Sequence, residues 1–177
     1  MKKMKTNLPL LFCAQGLKEP GKGRRNNIIP SLAVGIDLDG IHENVRQLYN
    51  DIIAPRVKEL KIGMVQVTIK GHGLHIWADR LPRETVRQAQ TRIASALGLQ
   101  QYLDSQCVDT GRGFFITTEK DLLFFDPDFC YMTEEEAELA KHFDEIDNTN
   151  KIDNLNQSNN NMINTNQSAP VGALAYK

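Results

Sequence analysis

The feature that most constrains the fold is a pair of short apolar segments around a glycine-containing loop. Residues 63–69 (GMVQVTI) and 74–79 (LHIWAD) have the length and composition of strands, and the four residues between them read KGHG. Two strands joined by a glycine-bearing loop of this length usually pair antiparallel. The sequence therefore predicts a β-hairpin near the centre of the chain.

A strand and an interrupted helix are predicted ahead of this hairpin. Residues 32–40 are a short apolar run that ends at Gly40, which is typical of a buried strand. Residues 44–60 carry apolar side chains at helical spacing, and Pro55 interrupts that spacing.

A second helix is predicted after the hairpin. Pro82 suits a first helical position, where the missing backbone N–H has no partner to lose. Val86, Ile93 and Leu97 then form one apolar stripe, and Gly98 suits the left-handed residue that ends many helices.

The remaining elements are predicted to be a second hairpin and a third helix. Residues 113–118 (GFFITT) and 121–126 (DLLFFD) have strand composition and are separated by two residues. Thr133 and Glu136 form a capping box that opens a helix running to about Ile146.

The predicted order is β-α-β-β-α-β-β-α, which indicates an α+β fold with an antiparallel or mixed sheet flanked by helices. We expect one domain over residues 1–147. Residues 148–177 begin with an asparagine-rich stretch without periodicity, which predicts a disordered linker. The closing APVGALAYK is apolar again, as at the start of a further module in a longer or truncated protein.

Charge is distributed unevenly along the chain. Residues 1–118 carry a net charge of about +7 and residues 119–177 about −8, although the whole chain carries −1. A basic body attracts polyanions such as nucleic acid or nucleotide phosphates, but the same charge also suits an ordinary solvated surface. Charge alone leaves both interpretations open.

Cysteine usage and hydropathy indicate the compartment. Cys13, Cys107 and Cys130 include no CxxC pair and have no histidine at zinc spacing, so they predict a reducing compartment without a structural zinc. The apolar run over residues 8–14 is short and lacks a small-residue cleavage site, and no segment reaches the length of a membrane span. We expect a cytoplasmic, soluble protein with no membrane partner.

Two carboxylates mark the end of the first predicted strand. Asp37 and Asp39 are two residues apart, so their side chains project from the same face. Paired carboxylates at this spacing suit a hard divalent cation such as Mg²⁺ or Mn²⁺. The alternative is a strand that ends in a polar turn at Gly40.

A histidine lies on the second strand of the central hairpin. His75 shares the more polar face of that strand with Trp77 and Asp79. It is either a half-exposed strand histidine or a ligand contact, and the nearby Gly71 and Gly73 favour the second by leaving space beside the ring.

The remaining candidate residues are one aspartate and three arginines. Asp109 precedes a predicted strand and can complete a metal site begun elsewhere, and Arg112 can form a bidentate contact to phosphate. Arg24 and Arg25 lie in a glycine-containing basic loop that is not a P-loop. A turn and an exposed loop are the alternatives.

The chain has an Asp-x-Asp strand (Asp37 and Asp39), then a strand with His75 after a glycine-bearing loop, then Asp109 before a further strand. This order of motifs resembles that of the archaeo-eukaryotic primase superfamily. More narrowly, the chain is similar to the primase-like VirE-type N-terminal domain of bacterial mobile-element and phage proteins, which often precedes a helicase-like domain. The resemblance covers roughly residues 8–140 and implies an RRM-like catalytic core. The matching segments are RRNN, SLAVGIDLDG, VTIKGHGLHIWA, IASALGL, LDSQCVDTGRGFFI and LLFFDPD.

The resemblance implies roles for individual residues. Asp37, Asp39 and Asp109 would be catalytic acids that hold Mg²⁺ or Mn²⁺, and His75 would contact the phosphates of the incoming nucleotide. Relatives in the narrow family often have arginine at the position of His75, so this histidine agrees better with the wider superfamily.

The resemblance also implies phosphate binding by Arg112, Arg24 and Arg25. The expected partners are DNA, nucleoside triphosphates and a helicase-like domain or protein. The implied function is a nucleotidyltransferase in mobile-element DNA replication. Alternatives are a non-catalytic DNA- or nucleotide-binding module that positions a helicase, a metal-dependent nuclease, and an unrelated α+β domain.

Overall fold

The computed structural model describes residues 9–20, 28–30, 32–81, 84–104, 106–107, 112–130 and 135. The predicted helix from Thr133, the predicted tail and Pro82 lie outside these residues. Within the described ranges the fold is α+β, as predicted, and all the strand pairs are antiparallel.

The central sheet has four strands. The predicted central hairpin is confirmed, because β5 (Ile62–Val67) and β6 (Gly73–Asp79) pair antiparallel around the KGHG loop. The predicted first strand, β4 (Ala33–Asp39), pairs with the other side of β6. The spatial order is β4, β6, β5 and β8 (Leu122–Phe125).

Four shorter strands form two separate ribbons. In the first ribbon β1 (Leu10–Phe12) pairs with β7 (Gly113–Phe115), and in the second β2 (Ala14–Leu17) pairs with β3 (Ile28–Pro30). The sequence did not predict β1, β2 or β3.

The predicted second hairpin, over residues 113–118 and 121–126, is wrong. The strand β7 belongs to the first ribbon, whereas β8 pairs with β5 in the central sheet. A 3₁₀ turn at Glu119–Asp121 carries the chain from one sheet to the other. The reason is packing: Phe114 joins one apolar cluster, and Phe124 packs against the other.

The first helical segment is interrupted, as predicted. Helix α1 (Val45–Leu48) continues into a π turn at Tyr49–Ile53 and a 3₁₀ turn at Ala54–Arg56, which contains the proline. The side chain of Asn44 accepts hydrogen bonds from the first free N–H groups of α1, which fixes where the helix begins.

The second helix, α2 (Val86–Leu97), begins at a capping box formed by Thr85 and Gln88. Because Thr85 is the N-cap and Val86 is the first helical residue, the prediction that Pro82 takes the first helical position is wrong. Its predicted apolar stripe is buried, and it ends at Gly98 with a φ of 72°, as predicted. Within the part of the chain that the structure describes, no helix is long and apolar enough to cross a membrane.

Each face of the central sheet carries an apolar cluster. Val34, Ile36 and Leu38 of β4 join the main core with α2, because alternate side chains of a strand point to one face. The opposite face carries a smaller cluster formed by Cys13, Met64, Trp77 and Phe114. This second face is only partly covered, and its uncovered part holds the polar residues of β4 and β6.

Candidate functional site

A polar row crosses three strands on the second face of the sheet. Asp37 of β4 lies opposite His75 of β6, and His75 lies opposite Gln66 of β5. His75 Nε2 is 3.6 Å from Asp37 Oδ1. Asp37, Asp39 and His75 line one open cleft of about 220 Å³.

Two glycines shape the loop beside this cleft. A Cβ atom at Gly73 would overlap the carbonyl oxygen of Leu38 and lie 3.0 Å from Asp39 Oδ1. Gly71 has a φ of 78°, a conformation that side chains rarely adopt, and its N–H donates to the carbonyl of Thr68 over 2.8 Å. The loop is therefore tight, and β6 approaches β4 closely beside Asp39.

Hydrogen bonds fix the proton position on His75. Gln66 Nε2 donates to the carbonyl oxygen of Phe115 over 2.7 Å, which orients the amide, and the same nitrogen lies 3.0 Å from His75 Nδ1. His75 Nδ1 must then accept a hydrogen bond, so the proton of the neutral ring is on Nε2. Nε2 lies 3.6 Å from Asp37 Oδ1, which is beyond hydrogen-bond distance.

The surroundings of His75 favour its neutral form. The ring is 8 % exposed and makes edge contacts with Trp77 and Phe114, at centroid distances of 5.9 and 4.9 Å. Burial lowers the pKa of His75 from 6.5 to about 4. In the protein without a bound anion, His75 is therefore a neutral donor rather than a cation near neutral pH.

A third carboxylate reaches the cleft from the segment after α2. Leu103 forms an isolated bridge with Leu38, and the Asp104 N–H donates to the carbonyl oxygen of Asp37 over 2.9 Å. This pairing at the outer edge of β4 brings the side chain of Asp104 to the cleft.

A thiol lies between two of the carboxylates. Cys107 Sγ is 3.1 Å from Asp104 Oδ2 and 3.5 Å from Asp37 Oδ2, so its S–H is directed at the pair. Burial and the two neighbouring carboxylates raise the pKa of the thiol, which keeps it protonated. One ligand atom from each of Asp37, Asp104 and Cys107 lies within 4.8 Å of the others, and such a group can hold a metal ion.

One oxygen of the Asp37 carboxylate has no hydrogen-bond donor. Its Oδ1 atom is buried and receives no hydrogen bond. Burial, together with the charges of Asp39 and Asp104, raises the pKa of its carboxyl group. By contrast, the backbone N–H of Gln106 lowers the pKa of Asp104. A cation beside Asp37 would supply the interaction that its buried oxygen lacks.

Basic and apolar side chains form the rest of the cleft wall. Lys70 and Arg112 line it, and Arg112 Nη2 is 3.7 Å from Asp104 Oδ2. Ile69 and Phe115 line the same cleft, and Ile69 is 43 % exposed. The cleft therefore combines acids, positive charge and an accessible apolar surface.

The structure brings together four of the residues that the sequence singled out: Asp37, Asp39, His75 and Arg112. Asp109, Arg24 and Arg25 lie outside the described residues, so their roles remain predictions.

Sequence reasoning missed Asp104 and Cys107. Both lie inside the segment LDSQCVDTGRGFFI, so the segment was singled out, but these two residues within it were not. The available signal was weak: Asp104 accepts a hydrogen bond from the Gln106 N–H, a turn pattern that many surface aspartates share.

Comparisons with known proteins add no assignment. No family model, no curated protein and no solved structure matches this chain.

Proposed function

We propose that this domain is a primase-like nucleotidyltransferase with an RRM-like core, which adds nucleotides to a 3′-hydroxyl during replication of a mobile element. One observation carries the proposal: Asp37, Asp39, Asp104 and His75 meet in one cleft, and a buried oxygen of Asp37 lacks a donor. If β4 simply ended in a polar turn, nothing would explain why three acids converge there.

The residues of the cleft fit Mg²⁺ or Mn²⁺. Asp37, Asp39 and Asp104 offer carboxylate oxygens, which hard divalent ions prefer. Asp109 remains a further proposed ligand. Bound there, such ions would supply positive charge that stabilises the negative charge developing during phosphoryl transfer.

His75 is proposed to hold the phosphates of the incoming nucleotide. Its Nε2–H faces the cleft as a neutral donor, because Gln66 occupies Nδ1. A donor fixed by packing needs little reorganisation when a phosphate oxygen arrives. A bound triphosphate would also raise the pKa of the ring and favour its cationic form.

The basic and apolar walls support a nucleotide rather than a bare phosphate. Arg112 is 43 % exposed at its side chain and can reach a phosphate, and Lys70 lies on the same cleft. Ile69 and Phe115 offer apolar surface to the sugar or base. Arg24 and Arg25 are proposed as additional phosphate or template contacts.

The test is a strand-extension assay with Mn²⁺, primed template DNA and labelled nucleotides. We expect extension by the native chain and a loss of at least about a hundredfold in Asp37→Asn, because the substitution removes a carboxylate proposed to hold an ion that contributes several kcal/mol to the transfer step. Asp51→Asn is the matched control, since Asp51 is exposed and bonds only Gln47 among the contacts described.

The other outcomes identify the alternatives. Extension that persists in Asp37→Asn would exclude the proposed site. DNA binding that survives this substitution, with no product in either protein, would indicate a non-catalytic module that positions a helicase partner. Shortened template without added nucleotides would indicate a nuclease.

A further inference from the structure

The thiol of Cys107 is not needed for a site that takes hard ions. Mg²⁺ and Mn²⁺ prefer oxygen ligands, whereas a sulfur ligand selects softer or borderline ions such as Zn²⁺ and Cd²⁺. Cys107 is 1 % exposed and lies directly against the two carboxylates that point into the cleft.

We propose that Cys107, Asp37 and Asp104 form a binding site for a thiophilic divalent cation, of which Zn²⁺ is the physiological example. The site overlaps the carboxylates proposed to hold Mg²⁺ or Mn²⁺ and shares Asp37 and Asp104 with them.

The spacing of the donor atoms fits such an ion. Ligands about 2.0–2.3 Å from a tetrahedral zinc lie about 3.3–3.8 Å from one another. Cys107 Sγ is 3.1 Å from Asp104 Oδ2 and 3.5 Å from Asp37 Oδ2. The ligand atoms of Asp37 and Asp104 lie within 4.8 Å of each other, so side-chain adjustment would complete the site as the ion takes the place of the thiol proton.

A second observation also points to a cation. Asp37 Oδ1 is buried without a hydrogen bond, so this carboxylate has coordination capacity that the protein does not use. His75 is a poor fourth ligand, because the Gln66 amide donates to Nδ1 and leaves the proton on Nε2. Three protein ligands and one position open to the cleft remain, an arrangement that leaves room for water or a substrate oxygen.

The relative affinities of divalent ions predict that Zn²⁺ inhibits the proposed reaction. Sites with nitrogen, oxygen and sulfur ligands bind Zn²⁺ more tightly than Mn²⁺. Free Zn²⁺ should therefore displace the hard ion from Asp37 and Asp104 and suppress transfer. This consequence rests on the proposed function, whereas the binding of the thiophilic ion does not.

Equilibrium titration of the metal-free full chain with Cd²⁺ tests the site, because cadmium–thiolate bonds give a charge-transfer absorption in the ultraviolet. We expect one ion per chain with this absorption. Cys107→Ser should remove the absorption and weaken binding at least about tenfold, since even outer-shell changes at metal sites cost that much. Cys13→Ser is the matched control, because Cys13 is buried on the same face but outside the ligand group.

A second variant protects the test against misfolding of Cys107→Ser. Asp104→Asn keeps the thiol and should also weaken Cd²⁺ binding at least about tenfold. The proposal is overturned if the absorption is absent in the native chain, if it persists in Cys107→Ser, or if Asp104→Asn binds as tightly as the native chain.

Failure of this proposal is distinguishable from failure of the proposed function. A Cys107-dependent cadmium signal without any strand extension supports the thiophilic site and contradicts the nucleotidyltransferase. Extension that Zn²⁺ inhibits equally in the native chain and in Cys107→Ser contradicts the thiophilic site and leaves the nucleotidyltransferase in place.

Discussion

Gln66→Leu should destabilise the fold. It should also remove the hydrogen bond that keeps the ring proton of His75 on Nε2. Gln66 is 2 % exposed, and its amide nitrogen donates to the Phe115 carbonyl and to His75 Nδ1 at 2.7 and 3.0 Å. Leucine fills a similar volume but donates nothing. The substitution therefore leaves two acceptors without their donor.

The expected loss of unfolding free energy is about 1–5 kcal/mol. Each buried hydrogen bond contributes about 1 kcal/mol net, and leaving its partner unsatisfied costs about 1–3 kcal/mol. The added apolar surface of leucine offsets about 1 kcal/mol. Because domains of this size are usually stable by about 5–15 kcal/mol, the variant should remain folded.

Two measurements on the same variant distinguish its effect on the free energy of unfolding from its effect on the His75 ring proton. Denaturant unfolding gives the free energy, and nitrogen chemical shifts of the His75 ring report which nitrogen carries the proton. Gln90→Leu is the matched control: Gln90 is also buried and donates to the carbonyls of Gly35 and Cys107, but not to His75. It should lose comparable stability and keep the proton of His75 on Nε2.

The reasoning is refuted by either of two results. One is a change in unfolding free energy below about 0.5 kcal/mol, which is the range of ordinary surface substitutions. The other is a native chain whose His75 carries its proton on Nδ1, since Gln66 could then not donate to that nitrogen.

Two further predictions concern the same face of the sheet. Gly73→Ala should lose about 1–3 kcal/mol of unfolding free energy, because a Cβ would overlap the Leu38 carbonyl; an unchanged unfolding midpoint would show that β6 can move away freely. The His75 ring should titrate near pH 4. The pKa of His75 is lower in the folded chain than in the unfolded chain. Its contribution to the free energy of unfolding, about 3 kcal/mol, is therefore present above pH 6.5 and lost as the pH falls toward 4. The raised pKa of Asp37 opposes this loss at the acidic end. Titration of His75 near pH 6.5 would contradict the burial argument.

The central hairpin was predictable because its signal is local. The alternation of side chains in β5 and β6 and the glycine-bearing loop between them are all within one short segment. The end of α2 was predictable for the same reason, since Gly98 adopts the left-handed conformation that its chemistry favours. Asp37 and His75 then fall in register as a consequence of the sheet.

The second hairpin and Asp104 were not predictable because their positions depend on distant partners. The strand β7 pairs with β1, about a hundred residues earlier in the chain, and β8 pairs with β5. Local spacing between two short apolar runs cannot distinguish such partners from a hairpin. Asp104 reaches the cleft through a single bridge between Leu103 and Leu38, and no sequence period encodes that contact.

The most direct test of the central claim is the position of Mn²⁺ in crystals of the full chain soaked with the ion and a non-hydrolysable nucleoside triphosphate. The account predicts an anomalous scattering peak within coordination distance of the Asp37 and Asp104 carboxylates, with a phosphate oxygen near His75 Nε2. A fully soaked crystal with no peak in this cleft, or with peaks only elsewhere, would contradict it.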